Sequence, residues 1–422
     1  MIQISFIREH SEEVITRLAK RGLDTRQAVN AILLADETRR KSQTFLDNLL
    51  AESNQWSREV GDLFKQGKKE EAEVLRAKSA AAKEQIKQLE ETLRTSEVYL
   101  ESLLIQLPNM PHASVPFGKT PEDNEVVLEW GKIPVLHPAA VPHWDLAEKF
   151  QLIDFELGVK ISGAGFPVYL GKGARLQRAL INFFLDEAIK AGYREVQPPI
   201  LVNEASGYGT SQLPDKEGQM YYVNEDDLYL IPTAEVPITN LYRDTIIKEN
   251  DLPIRNAGYT PCFRREAGSY GKDVRGLNRL HQFDKIEIVH IAHPEKSYEE
   301  LEKMSLYVQS LLQKLELPYR VLRLCGGDLG FGSALTYDME VWSAAQQRWL
   351  EVSSVSNFES FQSNRLKCRF KKNEGKNELV HTLNGSALAL PRIVASLLEN
   401  NQDENGVVIP KVLHAYTGFD RI

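Results

Sequence analysis

The chain has 422 residues, a net charge of −8, and 42% hydrophobic and 26% charged residues. This composition is typical of a globular protein, and the length exceeds what one hydrophobic core usually supports, so we expect two domains. No apolar run is long enough to cross a bilayer, and the opening MIQISFIREHSEEV has no signal-peptide pattern. We therefore expect a cytoplasmic protein with no membrane partner.

The cysteines and the glycine motifs argue against several classes of site. Cys262, Cys325 and Cys368 include no CxxC pair, which argues against a disulfide framework and a structural zinc site. We expect three free thiols. The sequence contains neither a GxxxxGK(S/T) run nor a GxGxxG run, so it indicates neither a P-loop nor a dinucleotide-binding fold.

The N-terminal quarter is predicted to be a pair of long helices. Residues 25–106 contain no proline, and their only glycines are Gly61 and Gly67, so two helices are expected to meet near residues 65–69. The second helix carries a heptad seam. Its members are Leu75, Ser79, Ala82, Ile86, Leu89, Leu93, Ser96, Leu100, Leu103 and Leu107.

The first helix has a less regular seam. The seam includes the apolar residues Phe45, Leu49, Trp56 and Leu63, but it is interrupted by Ser42, Glu52 and Glu59. This pattern predicts an antiparallel two-stranded coiled coil with a polar stretch in its middle. Heptads alone favour a dimerisation coiled coil, and two basic clusters allow contact with RNA or mark a solvated helix face. The clusters are Arg39, Arg40 and Lys41, and Lys65, Lys68 and Lys69.

A proline-rich segment from residue 108 to 142 marks a linker, and we place the domain boundary near Pro111, between residues 1–111 and 112–422. The second part has β-like runs at residues 220–223, 228–231, 258–263, 283–289 and 336–342. Helical segments are expected at 176–191, 298–315 and 388–400. Neighbouring strands without regular βαβ alternation predict an α+β fold, an antiparallel sheet flanked by helices.

Residues 259–289 contain two strand-like runs around an arginine-rich loop. The loop includes Gly268, Gly271, Lys272, Arg275, Gly276 and Arg279. Alternation places Phe283, Lys285, Glu287 and Val289 on one face of the second strand. Where the first strand ends, the guanidinium of Arg264 can bridge a carboxylate and an α-phosphate.

This arrangement favours an acyl-adenylate site. The alternative is an ordinary hairpin with a solvated loop, in which Arg264 pairs with Glu266.

The segment FRREAGSYGKDVRGLNRLHQFDKIEI closely resembles motif 2 of class II aminoacyl-tRNA synthetases, in its seryl-tRNA synthetase form. HTLNGSALALPRIVASLLEN resembles motif 3 of the class, and residues 176–191 followed by EVQPPI resemble motif 1. The resemblance covers almost the whole chain. It implies a class II synthetase-like catalytic domain in residues 112–422, a tRNA-binding helical arm in residues 1–111, and a homodimer.

The resemblance also implies the reaction. L-serine would be activated with ATP and Mg²⁺ to seryl-adenylate, and the serine then transferred to the 3′ end of tRNA(Ser), with tRNA(Sec) as a second RNA substrate. Two other hypotheses stay open. One is a synthetase-like ligase that loads a small amino acid onto a carrier protein, and the other is a catalytically silent RNA-binding paralogue.

By the same resemblance, Arg264 and Arg392 are the catalytic residues. Arg392 would stack over adenine with Phe283 on the other face, and Glu266 would read the adenine amino group. In WLEVSSVSN a carboxylate and hydroxyls recur on alternate strand positions, and Glu351 and Ser354 match the family's metal-and-phosphate pair. The ATP-binding residues are then Arg264, Arg265, Glu266, Arg279, Phe283, Glu351, Val352, Ser353, Ser354 and Arg392.

The amino-acid pocket is assigned in the same way. IPTAE resembles the family's TAE loop, and Thr233 and Glu287 are assigned to the amino group and hydroxyl of serine, with Ser386 completing the hydroxyl pocket. A pocket built to hydrogen-bond a hydroxyl strongly rejects the analogue that lacks it. The full set is Thr233, Ala234, Glu235, Glu287, Asn384 and Ser386. Alternatively, Glu287 is a structural partner of Lys285 or Arg279.

Overall fold

The structure is a computed structural model that describes residues 1–267, 275–372 and 375–422. Contacts divide the chain into two compact units. The first comprises residues 1–19 and 23–108, and the second comprises residues 20–22 and 109–422. Within the described residues, no helix is both long enough and apolar enough to cross a membrane.

The helices, in chain order, are α1 Ile4–Glu9, α2 Ser11–Ala19, α3 Arg26–Lys65, α4 Lys69–Leu104, α5 His143–Lys149, α6 Phe155–Ile161, α7 Gly171–Lys190, α8 Glu204–Gly209, α9 Glu235–Asn240, α10 Ser297–Lys314, α11 Phe361–Leu366, α12 Leu390–Asn400 and α13 His414–Thr417.

The strands are β1 Glu125–Trp130, β2 Ile153–Asp154, β3 Val168–Tyr169, β4 Arg194–Glu195, β5 Leu201–Asn203, β6 Tyr222–Val223, β7 Leu228–Leu230, β8 Ile246–Lys248, β9 Ile254–Phe263, β10 Gln282–Ala292, β11 Tyr319–Arg323, β12 Leu335–Ser343, β13 Arg348–Asn357, β14 Arg369–Lys371, β15 Glu378–Leu379, β16 His381–Ala389, β17 Gln402–Asp403 and β18 Gly406–Val407.

In the first unit, α3 and α4 form the predicted helical hairpin. The turn is made by Gly67, whose φ of +79° lies in the left-handed region that glycine adopts without strain. At about 1.5 Å per residue, the 40 residues of α3 extend roughly 60 Å. The predicted seam of α4 is confirmed at Ser79, Ala82 and Leu100, which are buried.

The predicted seam of α3 is wrong at Phe45, whereas Leu49, Trp56 and Leu63 lie in the seam as predicted. Leu46 is 6% exposed and Phe45 is 59% exposed, so the seam continues through Leu46 and not through Phe45. It then follows Leu49, Ser53, Trp56, Val60 and Leu63, whereas Glu52 and Glu59 are exposed. Because Phe45 and Leu46 are adjacent apolar residues, the pattern of α3 alone could not choose between them; packing against α4 does. The middle of the coiled coil therefore buries Ser53 of α3 and Ser79 and Ala82 of α4, and the two glutamates lie outside the seam.

Five of the six residues in the two basic clusters have acidic partners within the same unit. The buried carboxylate of Asp36 is contacted at 3.1 Å by each of Arg8, Arg39 and Arg40. Lys41, Lys65 and Lys68 pair with Glu37, Asp62 and Glu71, respectively. These ion pairs favour the interpretation that the clusters are structural and solvated charges.

The second unit is built on an eight-stranded sheet in the order β1-β11-β12-β13-β16-β10-β9-β4. Every neighbouring pair is antiparallel except β4 and β9. Helices α7, α10 and α12 pack against the sheet and form the main core with one face, which includes Ile286, Ile288 and Met339. The α+β class and the antiparallel sheet are as predicted. The other face of β10 carries Glu287 and Val289, and this face holds the candidate site.

Candidate active site

The hairpin of β9 and β10 positions the first catalytic candidate. Phe283 is opposite Cys262 and Glu287 is opposite Gly258, so Phe283 and Glu287 share a face as the alternation predicts. Arg264 follows the last residue of β9, and its guanidinium carbon lies 5.2 Å from the centroid of the Phe283 ring. Its Nε lies 3.4 Å from the carbonyl oxygen of Pro232, to which it donates.

The loop between β9 and β10 is described at both ends. Glu266 accepts a hydrogen bond from Nη1 of Arg279 at 2.9 Å, which joins the two ends of the loop. The backbone N–H of Arg265 donates to the carbonyl of Gln219 at 2.8 Å. The predicted loop residues Gly268, Gly271 and Lys272 lie outside the described residues.

Thr233, Lys285 and Glu287 form a buried pocket beside Arg264 and Phe283. The ammonium of Lys285 donates to Oγ1 of Thr233 at 2.9 Å and to Oε2 of Glu287 at 2.8 Å. The Thr233 hydroxyl in turn donates to the same Glu287 oxygen at 3.2 Å. The alternative pairing of Glu287 with Lys285 is thus what the structure contains, and it lies inside the pocket assigned to serine.

Lys285 is a pocket residue that sequence reasoning did not assign to the site. It is buried, with 6% of its surface exposed. Alternation had already placed it between Phe283 and Glu287 on one face. A lysine in the interior of a buried strand was the available signal, since lysine is rarely buried unless it is paired.

Glu235 is also buried at this pocket, at the start of α9. Burial, and then the neighbouring Glu287 carboxylate, raise the pKa of Glu235 to about 7. The amide Nε2 of Gln362 donates to Glu235 at 2.6 Å, and the amide oxygen of Gln362 accepts from the Thr382 hydroxyl at 2.7 Å. The carboxyl is therefore held in one orientation. Ala234, the residue before α9, is fully buried among apolar side chains.

Strand β16 completes the pocket from the other side of β10. Ser386 is opposite Glu287, and Asn384 is opposite Val289. Because directly opposite residues in an antiparallel pair face the same way, Ser386 lies beside Glu287 on the pocket face. The backbone carbonyl of Ser386 accepts from the Ser353 hydroxyl at 2.5 Å, which ties β16 to β13.

Arg392 is in the first turn of α12, next to Pro391. Its Nη1 donates to the carbonyl of Glu351 at 2.6 Å, and its Nε donates to the carbonyl of Asn278 at 3.3 Å. Arg392 thus contacts the segment that leads into β10, while Arg264 lies at the end of β9. The two predicted catalytic arginines flank the same hairpin loop.

The predicted strict alternation in β13 is wrong at Val352. Glu340 is opposite Glu351 and Met339 is opposite Ser353, so Val352 is an extra residue in a β-bulge. The bulge brings Glu351 and Ser354, three residues apart, to the same cavity of about 560 Å³. The side chain of Val352 packs in the core and the hydroxyl of Ser353 bonds to Ser386, so these two assignments as ATP ligands stay predictions.

The cavity is acidic. Asp338 and Glu340 line it together with Glu351. Burial, and then the Glu351 carboxylate, raise the pKa of Asp338 well above its usual value. Among the described residues, Oδ1 of Asp338 is a buried oxygen without a hydrogen-bond partner. Carboxylate and hydroxyl oxygens are the donors that Mg²⁺ uses alongside phosphate and water, so the residues present fit the predicted metal.

Comparisons with known proteins identify the family of this chain. Residues 1–111 match the family "Seryl-tRNA synthetase N-terminal domain", and residues 220–401 match "tRNA synthetase class II core domain (G, H, P, S and T)". A curated relative from Salinibacter ruber, "Serine--tRNA ligase", is 52% identical over 100% of this chain and 99% of its own length.

Solved structures are also similar. The seryl-tRNA synthetase of Pyrococcus horikoshii, complexed with ATP, has a TM-score of 0.93 and 38% identity over 100% of this chain and 99% of its own. The cytoplasmic serine-tRNA ligase of Naegleria fowleri, in complex with AMP, has a TM-score of 0.88 and 27% identity over 100% and 98%. The chain therefore belongs to the seryl-tRNA synthetase family of class II aminoacyl-tRNA synthetases.

Proposed function

We propose that this chain activates L-serine with ATP at the pocket of Thr233, Lys285 and Glu287, and then charges tRNA(Ser). In the first step a carboxylate oxygen of serine attacks the α-phosphorus of ATP, and the bond to pyrophosphate breaks. In the second step the 3′-terminal hydroxyl of the tRNA attacks the carbonyl of the adenylate, and AMP leaves. The observation that carries the proposal is the position of Arg264, which lies over Phe283 and beside a buried hydroxyl and carboxylate.

The pocket supports the choice of serine. Glu287 offers a buried carboxylate to the substrate ammonium or hydroxyl, and Thr233 and Ser386 add hydroxyl groups at the same place. An amino acid without a side-chain hydroxyl would lack the hydrogen bonds that serine can make to these groups, each worth about 0.5–1.5 kcal/mol, or about 1.5–3 kcal/mol to the carboxylate. Such a pocket therefore selects serine over alanine by hydrogen bonding rather than by size.

Arg264 supports the chemical step. Its guanidinium has donors in a rigid fork that can bond the serine carboxylate and the α-phosphate at once, which holds two anions at reacting distance. Adenine is proposed to stack on the ring of Phe283, and the guanidinium of Arg392 is proposed to stack on the opposite face of adenine. We further assign Glu266 to the adenine amino group, and Arg265 and Arg279 to the nucleotide.

Glu351 and Ser354 are the residues that would hold Mg²⁺. When bound, the ion neutralises charge on the phosphates of ATP. Asp338 lies in the same cavity as a further acidic group. The arginines would orient the phosphates against this acidic side of the cavity.

The proposal extends to domain roles and partners. Residues 1–111, with the hairpin of α3 and α4, are proposed to bind tRNA(Ser), and residues 112–422 to form the catalytic domain of a cytoplasmic homodimer. The edge strand β1 supports a dimer, because Val126, Val127, Leu128 and Trp130 are each at least 38% exposed. Sedimentation at twice 47.9 kDa would support the dimer, and a monomer would refute it. Charging of tRNA(Sec) is proposed too, and a tRNA(Sec) transcript tests it directly.

The test is the exchange of labelled pyrophosphate into ATP, measured with each of the twenty amino acids. Serine alone should support rapid exchange, and Arg264→Ala should reduce it by at least about 100-fold because transition-state stabilisation is lost. Arg264→Lys keeps the charge without the fork and should recover only part of the rate. Exchange without tRNA charging would favour the carrier-protein ligase, and no exchange with any amino acid would favour the silent paralogue.

A further inference from the structure

A buried polar network outside the two substrate pockets joins α5 to α12. The side chains of His143, at the start of α5, and Glu399, in α12, are fully buried. Nδ1 of His143 lies 2.6 Å from Oε1 of Glu399, which also accepts from the His143 backbone N–H at 3.0 Å. Glu399 accepts further hydrogen bonds from the Ser343 hydroxyl and from Nε2 of Gln346. Four donors therefore satisfy this carboxylate.

The other ring nitrogen of His143 fixes the hairpin loop. Nε2 of His143 accepts a hydrogen bond from the backbone N–H of Leu277 at 2.9 Å. A nitrogen that accepts carries no proton, so the ring is neutral and its proton is on Nδ1, toward Glu399. Burial alone would raise the pKa of Glu399, but hydrogen bonds, first from His143, hold it below its usual value. The ionised carboxylate keeps the histidine proton on Nδ1.

The network continues to the nucleotide side of the site. The side-chain amide of Asn278 donates to Oε1 of Gln346 at 3.1 Å, and the carbonyl of Asn278 accepts from Arg392. Arg392 and Glu399 are seven residues apart in α12, which places them on the same side of the helix. Helix α12 thus holds Asn278 directly through Arg392 and holds Leu277 through Glu399 and His143.

Gly276 shows how closely the loop is fitted to the histidine ring. A Cβ added at Gly276 would lie 2.3 Å from Nε2 of His143, closer than two such atoms can approach. The φ of Gly276 is +67°, in the left-handed region that disfavours other residues. Both the contact and the backbone conformation therefore require glycine next to His143.

We infer that His143 is a positioning residue for ATP, whose Nε2 holds residues 275–279 where Arg279 and Arg392 can meet the nucleotide. The inference rests on the proposed function, in which these two arginines bind ATP. His143 acts through Leu277 and Asn278. Its loss should weaken ATP binding and leave serine binding at the Thr233 pocket nearly unchanged.

Two substitutions separate the two ring nitrogens. His143→Asn can place an amide near the position of Nδ1 and keep a donor to Glu399, but it removes the acceptor for Leu277. His143→Gln can place an amide oxygen near the position of Nε2 and keep that acceptor. The measurements are the KM values for ATP and for serine in pyrophosphate exchange, the melting temperature, and hydrogen exchange of the amides in residues 275–279.

His143→Asn should raise the KM for ATP about tenfold, since an unsatisfied buried N–H costs about that factor or more. The KM for serine should stay within about twofold, amides in residues 275–279 should exchange faster, and His143→Gln should lie closer to the wild type. An unchanged KM for ATP in the Asn variant would overturn the inference. Equal rises in both KM values in both variants would also overturn it, because they would indicate a merely structural role.

A matched control and a second variant keep the test decisive. His290→Asn disrupts another buried histidine, whose Nε2 lies 3.0 Å from the Tyr193 hydroxyl, and should lower stability without a specific rise in the KM for ATP. If His143→Asn does not fold, Gly276→Ala displaces the same segment; it should raise the KM for ATP as well, and no rise overturns the inference. Failure of the proposed function is distinguishable, because the wild type itself would then show no serine-dependent exchange.

Discussion

Lys285 lies between Thr233 and Glu287, the two residues assigned to the amino group and hydroxyl of serine, and its ammonium donates hydrogen bonds to both. Lys285→Met should therefore leave the Glu287 carboxylate buried and unpaired, which costs about 3–5 kcal/mol. We expect a loss of at least about 100-fold in kcat/KM for serine, with the KM for ATP within about threefold. Steady-state exchange kinetics and thermal melting measure both effects.

A double variant separates the effect of Lys285 on serine activity from its effect on the stability of the protein. Lys285→Met combined with Glu287→Gln contains no buried charge at this pair, so the melting temperature should recover toward the wild type while serine activity stays low. Full recovery of serine activity in the double variant would contradict the assigned role of Lys285 and Glu287.

Burial of Glu235 in the pocket makes the stability of the protein depend on pH. Its pKa is raised from 4.5 to about 7 by burial and by Glu287. The pKa of Glu235 is higher in the folded protein than in the unfolded chain. Its contribution to the free energy of unfolding is therefore complete below pH 4.5 and is lost as the pH rises through 7. The loss is on the order of 3 kcal/mol.

Glu235→Gln removes this titration and keeps an acceptor for Gln362. The melting temperature of the variant relative to the wild type should therefore rise between pH 5 and pH 8. A difference that stays constant over this range would show that Glu235 does not titrate there. The sequence placed Glu235 in the pocket only by resemblance, because its partner Gln362, and Thr382 that bonds to Gln362, are more than one hundred residues away.

At the scale of single elements, local periodicity predicted well and packing decided the rest. The face shared by Phe283, Lys285 and Glu287 followed from the two-residue period of a strand. The bulge at Val352 did not, since it depends on the pairing of β13 with β12. The predicted seam of α3 was wrong at Phe45 for the same reason, because only contact with α4 distinguishes Leu46 from its neighbour.

The two neighbours in α3 provide a direct test of the seam. Leu46→Ala should destabilise the coiled coil by about 2–5 kcal/mol, as for buried leucines in general, whereas Phe45→Ala should change its stability by less than about 0.5 kcal/mol. Loss of helical circular dichroism on heating, with limited proteolysis of the hairpin, measures the difference. A larger loss of stability in Phe45→Ala than in Leu46→Ala would support the seam predicted from sequence alone.

For the whole molecule, the division into two compact units predicts that catalysis and tRNA binding can be separated. Replacing residues 27–102 by a short linker should leave serine-dependent exchange within about threefold of the wild type, because the proposed site lies in the second unit. Charging of tRNA(Ser) should fall by at least about 100-fold. Equal charging by the shortened enzyme would remove the proposed role of the helical hairpin.

The sequence predicted the α+β class, the hairpin arm and, in the eight-stranded sheet, strands β9, β10, β12 and β13. Motifs 2 and 3 contain many of the residues proposed for the site. They could be recognised in the sequence because the residues of each motif lie close together in the chain. No local pattern in the sequence indicated a role for His143, because its partners Leu277 and Glu399 are distant in the chain and approach it only after folding.

The position of β16 has a further consequence. This strand is hydrogen-bonded on one side to β10, which carries Glu287, and on the other side to β13, which carries Glu351. We therefore expect a displacement of β16 at one of these two places to affect the other, through the pairing of residues 355–357 with residues 383–385. Substitutions at Asn384 or Ser386, the proposed serine-binding residues of this strand, should therefore alter nucleotide affinity as well, so the two properties have to be optimised jointly.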